Sequence, residues 1–312
     1  MNPNPEHERG TWNVEPRTVL VTGAAGFAGS HLLERLPDAI GWSRRDVDLL
    51  DRDALRARIR GLKPSQIYHC AGAPHVAHSW ANTTRPLASN VLATHHLLDA
   101  VRRAGHRCRV LIPGSAYIYG PSNEVLTEDQ PLQPANPYAL SKLAQEQLGM
   151  RGMQEDGVEV VLTRSFNHTG PRQLPSFAAP AFARQLARIE AGLDAPVIYV
   201  GNLDARRDLT DVRDTVRAYQ LLMERGRPGV PYNVCTGDGR SIRELLEGLR
   251  ARVRVPVRIE VDPARLRPND TPIIVGSPER LRADTGWTPQ IAFDRMLEDL
   301  LDYWRGQVRT AA

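Results

Sequence analysis

The sequence predicts an α/β protein built on a doubly wound parallel sheet, followed by a smaller C-terminal α/β unit. Three observations predict it. Residues 17–22 (RTVLVT) read as a buried strand that runs into a glycine-rich turn, Thr22-Gly23-Ala24-Ala25-Gly26-Phe27-Ala28-Gly29, and an apolar helical period follows from Ser30 to Leu36. Strand and helix signals then alternate through the first 165 residues, the pattern of parallel strands joined by crossover helices. The third is the stretch Asn136-Pro137-Tyr138-Ala139-Leu140-Ser141-Lys142, which reads as a helix start. Asn136 can cap its first turn, and Pro137 fits the first helical position, where a missing N–H costs nothing.

The glycine turn makes a dinucleotide cradle. Gly23 gives the tight turn, Gly26 lets backbone approach a pyrophosphate, and Gly29 lets the helix pack on the strand; Phe27 and Ala28 lie in the same turn and belong to the same contact set. Strand two is expected over Asp38–Trp42. A site for NAD would carry an acid about 20 residues after the first glycine, to hold the ribose 2′-hydroxyl. Here that region reads Ser43-Arg44-Arg45, which suits a 2′-phosphate and favours NADP(H), and Asp48-Leu49 borders the adenine. Strand three, Gln66–Cys70, ends in Ala71-Gly72-Ala73, whose small side chains let a cofactor pass close. His75 and His78 have a His-x-x-His spacing with no third ligand placed, so no metal site is expected. A long helix is expected from Arg85 to Arg103, with apolar Leu87, Val91, Leu92, Leu97, Leu98 and Val101. Strand four, Arg109–Pro113, puts Ser115 just beyond its C-terminal end, where open α/β sheets bind ligands.

Tyr138 and Lys142 are four residues apart and share a helical face. A phenol is a poor acid at its usual pKa of about 10, and an ammonium close by favours the phenolate, which makes the tyrosine a usable proton donor and acceptor. Composition adds weight. Of 40 basic residues only Lys63 and Lys142 are lysines, so a lysine here points to a need for a compact ammonium that arginine's planar fork does not replace. Strand five follows at Val158–Arg164, then a polar, glycine- and proline-punctuated loop over 165–173. Residues 211–234 look like a return to the main sheet, and the chain ends in an amphipathic helix, Ala292–Trp304. The expected organisation is a loose tail over 1–16, a dinucleotide-binding domain over 17–165 plus about 211–234, and a second domain over 166–210 plus about 235–312.

With 41% hydrophobic and 24% charged residues in 312, the chain has the composition of a soluble globular protein. Its net charge of +4 comes without a dense basic run, which argues against nucleic acid as a partner. Cys70, Cys108 and Cys235 are far apart and lack metal spacing, as expected of reduced thiols in a cytoplasmic protein. No apolar run approaches a membrane span, and the N-terminus has no signal-peptide core.

TGAAGFAG, Ser115 and Tyr138-xxx-Lys142 together resemble the extended short-chain dehydrogenase/reductases, Rossmann-fold enzymes that act on nucleotide sugars. RSFNHTGPRQ (164–173), GNLDARRDLTDVRD (201–214) and RPNDTPIIVGSPERLRADTGW (267–287) narrow the resemblance to the GDP-mannose 4,6-dehydratase branch, which also holds 4-keto-6-deoxy-sugar reductases. The resemblance implies a second domain that binds substrate, NADPH as hydride donor, and reduction at C4 of a GDP-4-keto-6-deoxyhexose to GDP-rhamnose or its C4 epimer. Tyr138 would protonate the C4 oxygen, Lys142 would hold the nicotinamide ribose, and Ser115 would hydrogen-bond the carbonyl. Asn167 would contact the sugar nucleotide, Arg207 and Arg267 the diphosphate, and Asp270 a ribose hydroxyl. A homodimer through helices 86–103 and 137–152 is implied as well. Dehydratases of the branch carry an acid two positions after the active-site Ser or Thr, and Tyr117 stands there in this chain. A dehydratase or epimerase that recycles its cofactor, and a non-catalytic NADP(H) sensor, are the rival readings that the sequence leaves open.

Overall fold

The structure, a computed structural model, describes residues 18–74, 76–265 and 271–311. The expected tail over 1–16, His75, the side chain of His78, Arg267 and Asp270 lie outside the described residues. In chain order the first half contains β1 (Val19–Thr22), α1 (Phe27–Arg35), β2 (Ile40–Trp42), α2 (Arg52–Leu62), β3 (Gln66–His69), α3 (Val76–Ala81), α4 (Thr84–Pro86), a π-helical segment (Leu87–Leu92), α5 (Ala93–Ala104), β4 (Arg109–Ser115) and α6 (Pro137–Asp156). It continues through β5 (Glu159–Ser165), β6 (Asn167–Thr169), α7 (Ala178–Glu190), β7 (Val197–Val200), β8 (Arg206–Asp211), α8 (Val212–Arg225) and β9 (Pro231–Val234). The last part holds β10 (Gly239–Ser241), α9 (Ile242–Arg250), β11 (Arg258–Val261), β12 (Ile273–Ile274), α10 (Glu279–Thr285) and α11 (Phe293–Ala311).

Six parallel strands form the central sheet in the order β2–β1–β3–β4–β5–β9. Because successive strand residues face opposite sides, each strand feeds two cores. Leu20, Ile67, Val110, Ile112, Val160 and Leu162 pack on one side against Leu55 and Ile59 of α2 and Leu97 and Val101 of α5. Val21, Tyr68, Leu111 and Val161 pack on the other side against Leu32 of α1 and Val216, Tyr219 and Leu222 of α8. A smaller layer carries β8 with β6, β10 and β12, and β7 with β11. Its core joins Ile198 and Val200 of β7 to leucines of α9 and α11, including Leu245, Leu249, Leu297 and Leu301.

Three expectations change. β4 runs to Ser115, which pairs with Ser165 of β5, so Ser115 is the last strand residue instead of a loop residue. Gly114 permits this, since a Cβ there would lie 2.2 Å from Thr163 O. The long helix expected from Arg85 is broken by the π segment Leu87–Leu92, and Leu87 and Leu92 are exposed where an unbroken apolar stripe would bury them. Within it lies Asn90, fully buried, whose side chain accepts from Ala73 N at 2.8 Å and donates to Ser141 Oγ at 2.9 Å. The loop expected over 165–173 contains the short strand β6, which pairs in parallel with β8.

Candidate active site

The turn after β1 is built as a cradle. Gly23 takes a φ of +68°, and a Cβ there would meet Ala71 N at 2.5 Å; at Gly29 it would meet Gly23 O at 2.2 Å. Helix α1 starts from Gly26 with no side chain capping its first turn, so its N–H groups face an anion site. Beside it, a cleft of about 180 Å³ opens where the strand order turns back between β1 and β3. Of the expected cofactor residues, Gly23, Ser43, Arg44, Asp48, Leu49, Ala71 and Gly72 line it. Gly26, Phe27, Ala28, Gly29, Tyr138 and Lys142 are not among its lining residues, nor is Arg45, which is exposed. Phe27 stacks on His168 with ring centroids 5.7 Å apart, and both Phe27 and Ala28 pack against the core on that side of the sheet.

The loop after β2 owes its shape to Asp46. Both the N–H and the hydroxyl of Ser43 donate to its Oδ2 at 2.7 Å, and these bonds hold its carboxyl below the usual range. Asp46 is thus committed to the loop and does not line the cleft, whereas Asp48 does. Arg85, Ser89 and Ala93 also line the cleft and were missed in the sequence. Their spacing of four marks one helical face, and that face right after strand three was the available signal.

The catalytic candidates converge at the ends of β4 and α6. Asn136 caps α6 by accepting from Ala139 N at 2.8 Å, and Pro137 opens the first turn. Tyr138 is 8% exposed. Burial pushes its phenol up to about 12, opposed by a hydrogen bond with Ser115 and reinforced by Tyr117. The expected depression by Lys142 is not what governs this tyrosine: burial does. Nζ of Lys142 donates instead to Pro113 O at 2.9 Å and to Gln145 Oε1 at 2.7 Å. Lys142 is half-buried, and burial lowers its ammonium to about 8. Tyr117 sets its ring edge-on to that of Tyr138, with centroids 6.4 Å apart at 77°.

A second, narrower cavity adjoins this group, lined by Ala116, Tyr117, Asn136 and, from the smaller layer, Thr271, Ile273 and Ile274. Asn167 sits on β6 opposite Leu209 of β8. Arg207, on β8, is 6% exposed and donates to Arg206 O and Pro272 O.

Comparison with known proteins gives a consistent picture. The sequence pattern of one family, described as GDP-mannose 4,6 dehydratase, matches residues 42–300. GDP-6-deoxy-D-mannose reductase of Pseudomonas aeruginosa is 38% identical over 299 residues, 93% of this chain and 98% of that protein. GDP-mannose 4,6 dehydratase 2 of Arabidopsis thaliana is 28% identical over 93% of this chain and 87% of that protein. Among solved structures, RMD from Pseudomonas aeruginosa complexed with NADPH matches with a TM-score of 0.85 at 35% identity, covering 93% of this chain and 99% of that one. The UDP-glucose 4-epimerase of Thermus thermophilus complexed with NAD matches with 0.81 at 30% identity, over 93% and 99%.

Proposed function

The chain belongs to the GDP-mannose 4,6-dehydratase family, and from that premise we propose that it is an NADPH-dependent oxidoreductase that reduces the C4 keto group of GDP-4-keto-6-deoxy-mannose. Tyr117 is the observation that carries a reductase over a dehydratase. It stands two positions after Ser115 and faces the ring of Tyr138, so the place from which a carboxylate would take the C5 proton offers a phenol. A phenol with a pKa of about 10 is a poor base near neutral pH.

The cleft fits the cofactor. Gly23 and Gly29 let the turn pack closely on the β3 end and on α1, where any side chain would clash with backbone; the first turn of α1 has no side-chain cap, and Arg44 and Arg85 bring two cations to the pocket for a 2′-phosphate. Bound there, NADPH supplies the hydride that reduces C4. Ser115 holds the carbonyl oxygen through its hydroxyl. Tyr138, kept neutral by burial, delivers its phenolic proton to that oxygen as it gains charge, and the alkoxide formed by reduction is the stronger base. Lys142 holds the ribose hydroxyls and offsets the phenolate left on Tyr138. Asn167, Arg207, Arg267 and Asp270 take the sugar nucleotide, which places the GDP moiety on the smaller layer.

The same reading assigns 17–165 with about 211–234 to cofactor binding and 166–210 with about 235–312 to substrate binding. Exposed Leu87 and Leu92 in the π segment and Leu140 on α6 support a homodimer through helices 86–103 and 137–152. Among the described residues no helix is long and apolar enough to cross a membrane, and all three cysteines are free, which supports a cytoplasmic setting. The test is incubation with NADPH and GDP-4-keto-6-deoxy-mannose. Stoichiometric NADPH oxidation and a 6-deoxy product are expected, with the H4 coupling in NMR reporting rhamnose or its C4 epimer. No NADPH consumption with active-site-saturating keto sugar would reject the proposal.

A further inference from the structure

Lys142 has three ammonium hydrogens, and the protein takes two of them, through Pro113 O and Gln145 Oε1. Gln145 is 1% exposed and lies on the same face of α6 as Tyr138 and Lys142. Its amide orientation is forced. Lys142 can only donate, so the oxygen faces the ammonium and the nitrogen donates to Thr94 Oγ1 at 2.8 Å. Thr94 gives its single hydrogen to Asn90 O at 2.7 Å, so His69 Nε2, 2.9 Å away, must donate to the same oxygen. His69 is therefore the Nε2–H tautomer, and its Nδ1 accepts from Thr22 Oγ1 at 2.8 Å. Thr22 precedes Gly23 and lines the cofactor cleft. A closed, fully assigned chain of hydrogen bonds thus runs from the cleft wall to the ammonium of Lys142.

We propose that Gln145 is a positioning residue for Lys142: its carbonyl oxygen fixes the ammonium so that the third hydrogen is left for the cofactor ribose. This rests on the reductase reading for Lys142. A lysine has four rotatable side-chain bonds, and with Pro113 O alone its head pivots about one contact; the oxygen of Gln145 makes it two. Because the far side of Gln145 is anchored by Thr94, itself held by Asn90 and His69, the acceptor cannot swing away with the lysine. The titratable groups that act on Lys142 are Cys70, raised by burial to about 12, and His69, lowered by burial to about 3; both stay neutral around pH 7, so the glutamine oxygen, not a carboxylate, sets the ammonium's place.

The test compares Gln145→Leu with Gln145→Glu on the full-length protein, reading NADPH affinity by fluorescence, kcat, and the pH profile of kcat/KM. Leucine removes the acceptor, so NADPH should bind roughly tenfold more weakly, kcat should fall at least tenfold, and the basic limb should move to lower pH. Glutamate restores an acceptor and adds charge, so kcat should recover to within a few-fold and the basic limb should move to higher pH. A merely structural glutamine would lower thermal stability or the folded fraction and leave both limbs in place; that result overturns the proposal, as does an unchanged NADPH affinity in Gln145→Leu. If Gln145→Leu does not fold, an unmoved limb in Gln145→Glu overturns it alone. Failure of wild type to reduce the keto sugar would sink the reductase reading, whereas the NADPH affinities would still decide the role of Gln145.

Discussion

At the residue scale, Tyr138 shows how burial and chemistry divide the work. A buried phenol pushed up to about 12 is a poor base but is fully protonated near neutral pH, which is the state a proton donor in a reduction requires. Tyr138→Phe removes only that proton and the bond to Ser115. It should lower kcat by about 10²–10⁴-fold with NADPH affinity within a few-fold of wild type, read by steady-state kinetics and cofactor fluorescence. Turnover near the wild-type level would remove Tyr138 from the mechanism. The two cations of the cleft make a separate case. Arg44 comes from the loop after β2 and Arg85 from the start of α4, so they reach the pocket from different elements. Arg44→Ala and Arg85→Ala should each weaken NADPH by roughly tenfold to a hundredfold, the loss of one charge-assisted bond, and change NADH little. Equal losses for the two cofactors would show that neither arginine reads the 2′-phosphate.

At the element scale, what the sequence announces and what it conceals have different physical origins. The strands β1, β3, β4 and β5 and the turn around Gly23 are local facts. They depend on short apolar runs and on a glycine that must sit at positive φ, and both are written in neighbouring residues. The cap of α6 was equally legible, because Asn136 and Pro137 act within one turn. The π segment was not: the partners of its buried Asn90, Ala73 and Ser141, lie 17 residues before it and 51 after it. Arg85 escaped for the same reason: only the placement of the helix brings it to the cleft. Lys142 is held in the site, but Lys63 ends α2 in a left-handed conformation with φ of 47°, a backbone task. The π segment also ties two site elements together, because Asn90 links the end of the β3 loop to the serine between Tyr138 and Lys142. Asn90→Ala would leave Ala73 N and Ser141 Oγ buried with fewer partners, and it should cost about 1–3 kcal/mol in urea unfolding and lower kcat as α6 loosens. An unchanged urea midpoint would show that the helix keeps its place without this tie.

At the scale of the whole molecule, three histidines that stay neutral set the response to acid. His69 sits in β3 and burial lowers it to about 3. His31 on α1 and His168 on β6 are also lowered, chiefly by burial. These two join the layers: His31 Nε2 bonds Pro171 O at 3.0 Å, and His168 stacks on Phe27 of α1. In each case the folded value lies below the ordinary one of about 6.5, so below that pH the unfolded chain binds more protons than the native one. Stability is therefore present above about 6.5 and falls as the pH drops. For His69 the loss grows by about 1.4 kcal/mol per pH unit, and it continues down to the folded value. Carboxylates held low by arginines, such as Glu34 by Arg172 and Glu159 by Arg107 and Arg109, lose their stabilisation in the same direction but only below about 4.5. Acid destabilisation should thus begin near pH 6.5, before the carboxylates held low by arginines titrate. The contribution of His69 can be isolated by slope. His69→Gln breaks the chain to Thr94 and lowers stability at every pH, but its loss between pH 6 and pH 5 should be smaller than that of wild type by about 1 kcal/mol. Urea unfolding at pH 7, 6 and 5 measures both slopes, and parallel slopes would mean that His69 takes up its proton without unfolding.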